Sequence, residues 1–546
     1  MDTHAIDADA DAVVVGAGFG GLYMVHKLAG DGLSVIGIEA GRDVGGTWFW
    51  NRYPGARCDV ESLEYSYSFD AQLQQEWHWT ERYAAQPEIL DYINHVADRF
   101  GLRRHYRFDT RVLGATWDEP TSTWTVRTSG GATLRCTYLI MATGVLSATN
   151  IPDIPGRDTF GGTVLHTGAW PEQEPDLAGK RVAVIGTGSS GVQVIPQLAE
   201  RAGELVVFQR TATYAVPARN RPIDLGFEAE VKAGYDAFRE RNRQMWPAYG
   251  AHLQLTREAS LAVDPAQRRA VWEQAWELGG FAFMLSFTDL LTDMEANDAA
   301  ADFARERIRE TVTDPDVAQR LLPRQPIGCK RLCLDTGYYE TFNRPDVRLV
   351  PLDEEPIVAI EPNGIRTANE LVELDAIVYA TGFDAMTGAL TRIDVRGRGG
   401  VTLAERWGAD GPVNYLGLAV PGFPNLFTIT GPGSPSVLTN VVVAIEQHVE
   451  WIARCIGHLR AHGAASIEAS EAAAHAWVAR VNRIADNFIF PSCNSWYLGA
   501  NIPGKPRVFM PMPGFPAYVK TCERVAAEGY SGFELAAAAS VGGVER

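Results

Sequence analysis

Ala12-Val13-Val14-Val15-Gly16-Ala17-Gly18-Phe19-Gly20-Gly21 is an apolar run that breaks into a glycine-rich turn, and a helical pattern through Leu28 follows it. A second apolar run, Leu33 to Ile38, ends at Glu39. The pattern is strand, helix, strand, with G-x-G-x-x-G at the first turn and an acid closing the second strand. Glycines there let the backbone approach a pyrophosphate at a helix N-terminus, and a carboxylate at position 39 accepts hydrogen bonds from ribose hydroxyls. The unit predicts a dinucleotide site.

The same grammar returns further along. Arg181-Val182-Ala183-Val184-Ile185 leads into Gly186-Thr187-Gly188-Ser189-Ser190-Gly191, a helix to Ala199, and a second strand from Leu205 to Phe208. This strand ends in Gln209-Arg210-Thr211 rather than in an acid. An acid would receive a free ribose 2′-hydroxyl and repel a phosphate, whereas arginine does the reverse, so the second nucleotide is expected to be NADP. The alternative is a solvated surface Arg210.

Two near-identical strands bracket the second unit. Tyr138-Leu139-Ile140-Met141-Ala142-Thr143-Gly144 and Ala376-Ile377-Val378-Tyr379-Ala380-Thr381-Gly382 both read as buried strands ending at glycine. The expected fold class is therefore α/β with two dinucleotide-binding, Rossmann-like domains, one inserted into the other. Residues 1–144 and 380–546 form the outer domain, the latter with the substrate-pocket loops, and 145–379 the inserted one. Within the insert, residues 222–322 are rich in helix formers and carry Trp246, Trp272 and Trp276, which predicts a mainly helical excursion. Tyr106 to Val112 and Thr123 to Arg127 alternate as strands, and a helix is expected from about Asn440 to His458.

Composition narrows the partners. With 546 residues, 46% apolar and 21% charged, the chain is an ordinary multidomain globular protein. Its formal charge of −18 argues against nucleic acid or an anionic membrane, both of which reward clustered Lys and Arg. The acidic N-terminus from Met1 to Asp11 is unlike a signal peptide, no run is long enough to span a bilayer, and no obligate protein partner is evident. Seven scattered cysteines suggest no disulfide framework, so a cytoplasmic location is expected. Cys329 and Cys333, the close pair, lack the companions of a zinc site and read as ordinary buried thiols, so no metal is expected.

Other segments suggest a site. Gly45 to Asp59 is dense in aromatics, glycine and arginine; it reads either as a packed loop or as the cover of a flat cofactor ring, with Asp59 placing a carboxylate in an apolar wall. Lys330-Arg331 is either a solvated surface pair or a pair of cations aimed at a phosphate and a reacting oxygen anion. Asn494 to Lys505, with Trp496, is a loop of the kind that closes over ligands or simply turns.

Between the fingerprints lies Phe160-Gly161-Gly162-Thr163-Val164-Leu165-His166-Thr167-Gly168-Ala169-Trp170-Pro171. Its spacing, F-x-G-x-x-x-H-x-x-x-W-P, resembles that of the Baeyer–Villiger monooxygenases, flavoenzymes that insert one oxygen atom of O2 beside a ketone carbonyl. The likeness runs from about Asp11 to Phe533 and is closest to the phenylacetone and steroid monooxygenases, although Met510-Pro511-Met512-Pro513-Gly514-Phe515 departs from their usual glycine pair.

The resemblance implies FAD on Gly16, Gly18, Phe19, Gly21, Glu39, Gly46, Thr47, Trp48, Asp59, Tyr65 and Val112. It implies NADPH on Arg57, Gly186, Thr187, Gly188, Ser189, Ser190, Gly191, Arg210, Thr211, Lys330, Arg331 and Trp496. Ser434, Pro435, Ser436, Val437 and Leu438 would line the substrate pocket. Phe160, Gly162, His166, Trp170 and Pro171 would form the joint, with His166 a structural link rather than an acid or base. The implied reaction turns ketones into esters or lactones through a C4a-peroxyflavin stabilised by Arg331, which Asp59 holds. A fixed guanidinium facing an oxyanion is worth about 3–4 kcal/mol.

Three other functions compete. Oxygenation of soft N or S atoms needs a protonated oxidant and no such arginine. A disulfide reductase needs a cysteine pair near the first fingerprint, where only Cys58 stands. A non-catalytic redox sensor would have little use for two complete nucleotide units.

Overall fold

The structure is a computed structural model that describes residues 6–408 and 410–537; the start of the acidic N-terminal run lies outside the described residues. Among the described residues the outer sheet has eight strands. Its centre is parallel, with Ile6–Val15 between Val35–Ile38 and Thr133–Met141, and Leu426–Phe427–Thr428 extends beside the last of these. Thr123–Thr128 and Val112–Asp118 continue it antiparallel. Val13, Val14, Leu139 and Ile140 are fully buried because helices and loops cover both faces. Each such side chain contributes roughly 1.5–3 kcal/mol by leaving water, and that apolar load is why this strand pair reads so plainly in the sequence.

The inserted sheet is parallel throughout, in the order Val347–Pro351, Glu204–Gln209, Arg181–Ile185, Ala376–Tyr379, Thr163–His166. The chain therefore enters and leaves the insert through neighbouring segments. Asn150 N–H donates to the Gly382 carbonyl at 2.9 Å, and Asp384 N–H to that of Ala148 at 2.8 Å. The two crossings run side by side.

Helices Leu225–Ala233, Tyr235–Arg243, Pro265–Leu278, Ala282–Leu285, Met294–Thr311 and Pro315–Leu321 lie in the excursion. Asp224, Asp264, Asp293 and Asp314 each accept backbone N–H bonds at a helix start, which explains where those helices begin. Trp272 packs against Phe283, Phe287 and Phe303 at their centre.

Two expectations need correction. The strand from Tyr106 stops at Arg107; Asp109 adopts φ 49° and the ladder resumes only at Val112. Cys329 is not a free thiol: it forms a disulfide with Cys493, while Cys333 remains free. The partner was missed because it lies 164 residues away.

Candidate functional site

Both glycine turns are built so that backbone occupies the space of side chains. At Gly21 a Cβ would stand 1.8 Å from the Gly16 carbonyl oxygen, and at Gly191 one would stand 2.4 Å from that of Gly186. Gly16 and Gly186 have φ of 111° and 110°, open to glycine alone. Gly18 and Gly188 begin the two helices without a side-chain cap, which leaves their first N–H groups for an anion. At Gly188 nothing lies within 4 Å of a Cβ position, so the turn faces open space. Each turn fits a dinucleotide pyrophosphate.

Glu39 is buried at the first turn, where it accepts from Ala17 N–H at 2.8 Å and Gly41 N–H at 2.7 Å. Burial pushes its carboxyl up, and those two N–H bonds oppose the shift. Phe19, which opens the helix after the first turn, and Trp48 both pack on Tyr65, and the Trp48 indole donates to the Tyr65 hydroxyl at 3.3 Å. Gly46 and Thr47 start the one-turn helix that carries Trp48, and Val112 is buried where its strand resumes. An aromatic wall of this kind suits a flat ring.

At the second turn the Thr187 hydroxyl donates to the Thr211 carbonyl at 3.0 Å, which places Arg210 beside the fingerprint. Arg210 is exposed, and among the described residues it has no carboxylate partner. Lys330 is half-buried; burial lowers its ammonium, and the charge of Arg210 adds to that. Two neighbouring unneutralised cations suit a phosphate monoester. The Tyr53 hydroxyl donates to Gln193 Oε1 at 2.7 Å, and Gln193 Nε2 donates to the Arg57 carbonyl at 3.1 Å, fastening the outer domain to the helix of the second turn. Arg57 itself pairs with Glu81 and lines a cavity of about 550 Å³.

Arg331 lies two residues before Cys333, whose thiol meets the Ser189 hydroxyl of the second turn at 3.5 Å. Its Nε and Nη2 donate to the Asp59 carboxylate at 2.8 and 2.7 Å, and Nη1 donates to the Val437 carbonyl at 2.9 Å. The guanidinium lies 5.0 Å over the Phe281 ring. Burial favours its neutral form, but Asp59, with Tyr249 and Tyr497 nearby, outweighs that and holds it well above the ordinary arginine value. The short parallel pairing of Ala215–Pro217 with Cys333–Asp335 fixes the chain immediately after Arg331. The predicted pocket loop reaches the site through Val437, and Ser436 takes a strained φ of 35° to deliver it. Met512 N–H donates to the Ser434 carbonyl and Gly433 N–H to that of Met510, so residues 510–512 brace this loop. Trp496 is half-buried and lies against Tyr497, with ring centres 4.4 Å apart.

Phe281, Tyr249 and Tyr497 were not foreseen. The first two sit in the helical excursion, and nothing in their local sequence marks them. Tyr497 follows Trp496 directly and was the one within reach.

The joint takes shape around His166, which ends an edge strand in register with Tyr379. Its Nδ1 accepts from Gly168 N–H at 2.9 Å. Burial lowers its pKa, so the ring is held neutral. At Gly168 a Cβ would meet the Phe383 ring at 2.5 Å. At Gly162 one would stand 2.4 Å from the Asp375 carbonyl and 2.7 Å from the Phe160 ring. Trp170, next to Pro171, is buried and donates its backbone N–H to the Trp50 carbonyl at 3.3 Å, across to the aromatic segment of the outer domain.

Residues 13–224 match the family described as pyridine nucleotide-disulphide oxidoreductase. Over 97% of both chains the protein is 47% identical to a Baeyer–Villiger monooxygenase of Pseudooceanicola batsensis. It is 42% identical to a phenazine N-monooxygenase of Lysobacter antibioticus, over 96% of this chain and 97% of that one. Among solved structures, a steroid monooxygenase bound to NADP superposes with a TM-score of 0.92 at 50% identity, covering 97% of this chain and all of that one. An OTEMO complex with FAD and NADP does so with 0.92 at 42%, covering 96% and 99%.

Proposed function

The chain belongs to the Baeyer–Villiger monooxygenase family, an NADPH-dependent flavoprotein monooxygenase with FAD and NADPH as its cofactors, and we propose that it converts ketones to esters or lactones at Arg331. The observation that carries this reading is the fixed guanidinium of Arg331, held at two points by Asp59 and at a third by the Val437 carbonyl. FAD bound at the first turn would supply the redox chemistry that makes an oxygen nucleophile from O2, with NADPH at the second turn as the electron source.

The chain's own residues then have definite tasks. Glycines 16, 18 and 21 with Glu39 hold FAD; Thr187, Gly188, Arg210 and Lys330 hold NADPH. Arg331 keeps its protons at any working pH. It therefore stabilises negative charge on the attacking oxygen and then on the former carbonyl oxygen. Asp59 leaves the guanidinium nowhere else to turn. Phe281, Tyr249 and Tyr497 exclude water from its surroundings, which strengthens its field. His166, neutral and bonded to backbone, positions the joint and moves no proton. Cys58 is a free, buried thiol, which leaves the first turn without the cysteine pair of a disulfide reductase.

A second reading, N-oxygenation, is favoured by the phenazine N-monooxygenase among the relatives. Incubation of the FAD-loaded protein with NADPH under labelled O2, with ketones, sulfides and aromatic nitrogen heterocycles, tests both. One labelled oxygen in an ester is the expected product. N-oxide without any ester would transfer the function to the second reading, and hydrogen peroxide alone would end both.

A further inference from the structure

The disulfide between Cys329 and Cys493 sits in a telling place. Cys329 immediately precedes Lys330 and Arg331 and is fully buried. Its segment is clamped from the helical excursion, where Asn297 accepts from Ile327 N–H at 3.0 Å and donates to the Ile327 carbonyl at 2.8 Å. Cys493 opens the Asn494–Lys505 loop. Its carbonyl accepts from Ser495 N–H at 2.8 Å, and the Ser495 hydroxyl in turn accepts from Tyr497 N–H, setting the turn that holds Trp496 and Tyr497. The far end of the loop has its own anchors, since Asn501 donates to the Phe383 carbonyl at 2.7 Å and Lys505 pairs with Asp384 at 2.6 Å. The disulfide is thus the covalent near-end anchor of a loop whose Tyr497 stands beside Arg331 and whose Trp496 packs on Tyr497.

Access is one-sided. Cys493 is half-buried, whereas the other six of the seven cysteines are buried. Cys333, the neighbouring free thiol, faces Ser189 and Thr213. A small thiol or peroxide therefore reaches this pair at Cys493.

We propose that Cys329 and Cys493 form a redox-modification site whose disulfide and dithiol states set the affinity of the enzyme for NADP(H) by fixing or releasing the near end of the Asn494–Lys505 loop. In the oxidising direction one thiolate attacks hydrogen peroxide, giving a sulfenic acid and water; the second thiol displaces that hydroxyl as a second water, leaving the S–S bond. In the reducing direction a dithiol attacks Cys493 sulfur, Cys329 leaves as thiolate and takes a proton, and the reagent closes to its own disulfide. With the loop released, only a fraction of molecules hold Trp496 in place, and apparent affinity falls by that fraction. The inference rests on the nucleotide assignment of the proposed function, and it deepens that reading by adding a regulatory state.

The test uses the full-length FAD-loaded protein. Non-reducing peptide mapping after peroxide treatment is expected to yield a linked Cys329–Cys493 peptide, lost after dithiothreitol. NADP+ titration followed by flavin absorbance is expected to give a dissociation constant roughly 3- to 10-fold higher for the reduced form. Cys493→Ser should bind like the reduced form whatever the redox treatment. Cys136→Ser, a buried thiol of the outer sheet, should respond like the parent. Failure of peroxide to form the linked peptide overturns the proposal, and so does equal NADP+ affinity in the two states. Redox-dependent NADP+ binding without ester formation would sink the ketone assignment alone; ester formation with redox-independent binding would sink this inference alone.

Discussion

Asp59 grips Arg331 in the two-point manner of a carboxylate on a guanidinium edge, at 2.8 and 2.7 Å, although the two residues are 272 positions apart. Both side chains are largely shielded, with 27% and 19% of their surface exposed. Asp59→Ala frees the guanidinium and leaves its charge without a counterion. Ester formation is expected to drop about 100-fold, the order seen when one stabilising donor is misplaced, while reduction of the flavin by NADPH continues. A stopped-flow comparison of the two half-reactions checks this; equal loss in both would point to general misfolding.

Arg210 is exposed, beside Lys330, and among the described residues lacks a carboxylate partner. Arg210→Glu is expected to raise KM for NADPH by roughly 10-fold or more, the worth of a charge-assisted phosphate contact, and to leave that for NADH nearly unchanged. Unaltered discrimination between the two coenzymes would return Arg210 to the surface role.

Gly188 and Gly191 differ in what an added side chain would meet. A side chain at Gly191 collides with the Gly186 carbonyl, whereas one at Gly188 meets nothing within 4 Å. Gly191→Ala should therefore lower Tm by several degrees, and Gly188→Val should keep Tm yet weaken NADP+ binding. A Gly188→Val protein that binds NADP+ normally would move the phosphate elsewhere.

His448 is fully buried, with Nδ1 accepting from Thr430 N–H at 3.0 Å, and burial pushes its pKa down to about 3. Between about pH 6.5 and about 3 the unfolded chain binds a proton there and the folded chain does not, so this group's share of stability is lost progressively as pH falls through that window. Burial acts on His166 in the same direction. Between pH 6 and 5, His448→Asn should lose stability with a slope shallower than the parent's by up to about 1.4 kcal/mol per pH unit. Parallel slopes in denaturant titrations would show that this histidine does not contribute.

Much of this arrangement is local and so legible in the chain. The two glycine turns follow from residues within one strand-turn-helix, and Glu39 and Arg210 from where the second strands end. The near-repeat at Ala142 and Ala380 exposed the insertion because both strands are buried on both faces and must be apolar throughout. What escaped depends on distant packing. Phe281 and Tyr249 reach Arg331 only after the helical excursion folds back, Val437 only after Ser436 adopts its strained turn, and Cys329 meets Cys493 only when the last loop closes. Asp109, a single left-handed residue, broke a strand that alternation alone predicted.

The central claim is that Arg331 stabilises oxygen anions and does not serve to deliver electrons. The most direct measurement is a two-stage stopped-flow experiment on Arg331→Ala: anaerobic reduction by NADPH, then mixing with O2 and ketone, with ester and hydrogen peroxide quantified in the quench. The account predicts reduction near the parent rate, ester lowered by at least about 100-fold, and the reducing equivalents recovered as hydrogen peroxide. Ester at the parent level from this variant would contradict it and remove Arg331 from the reaction.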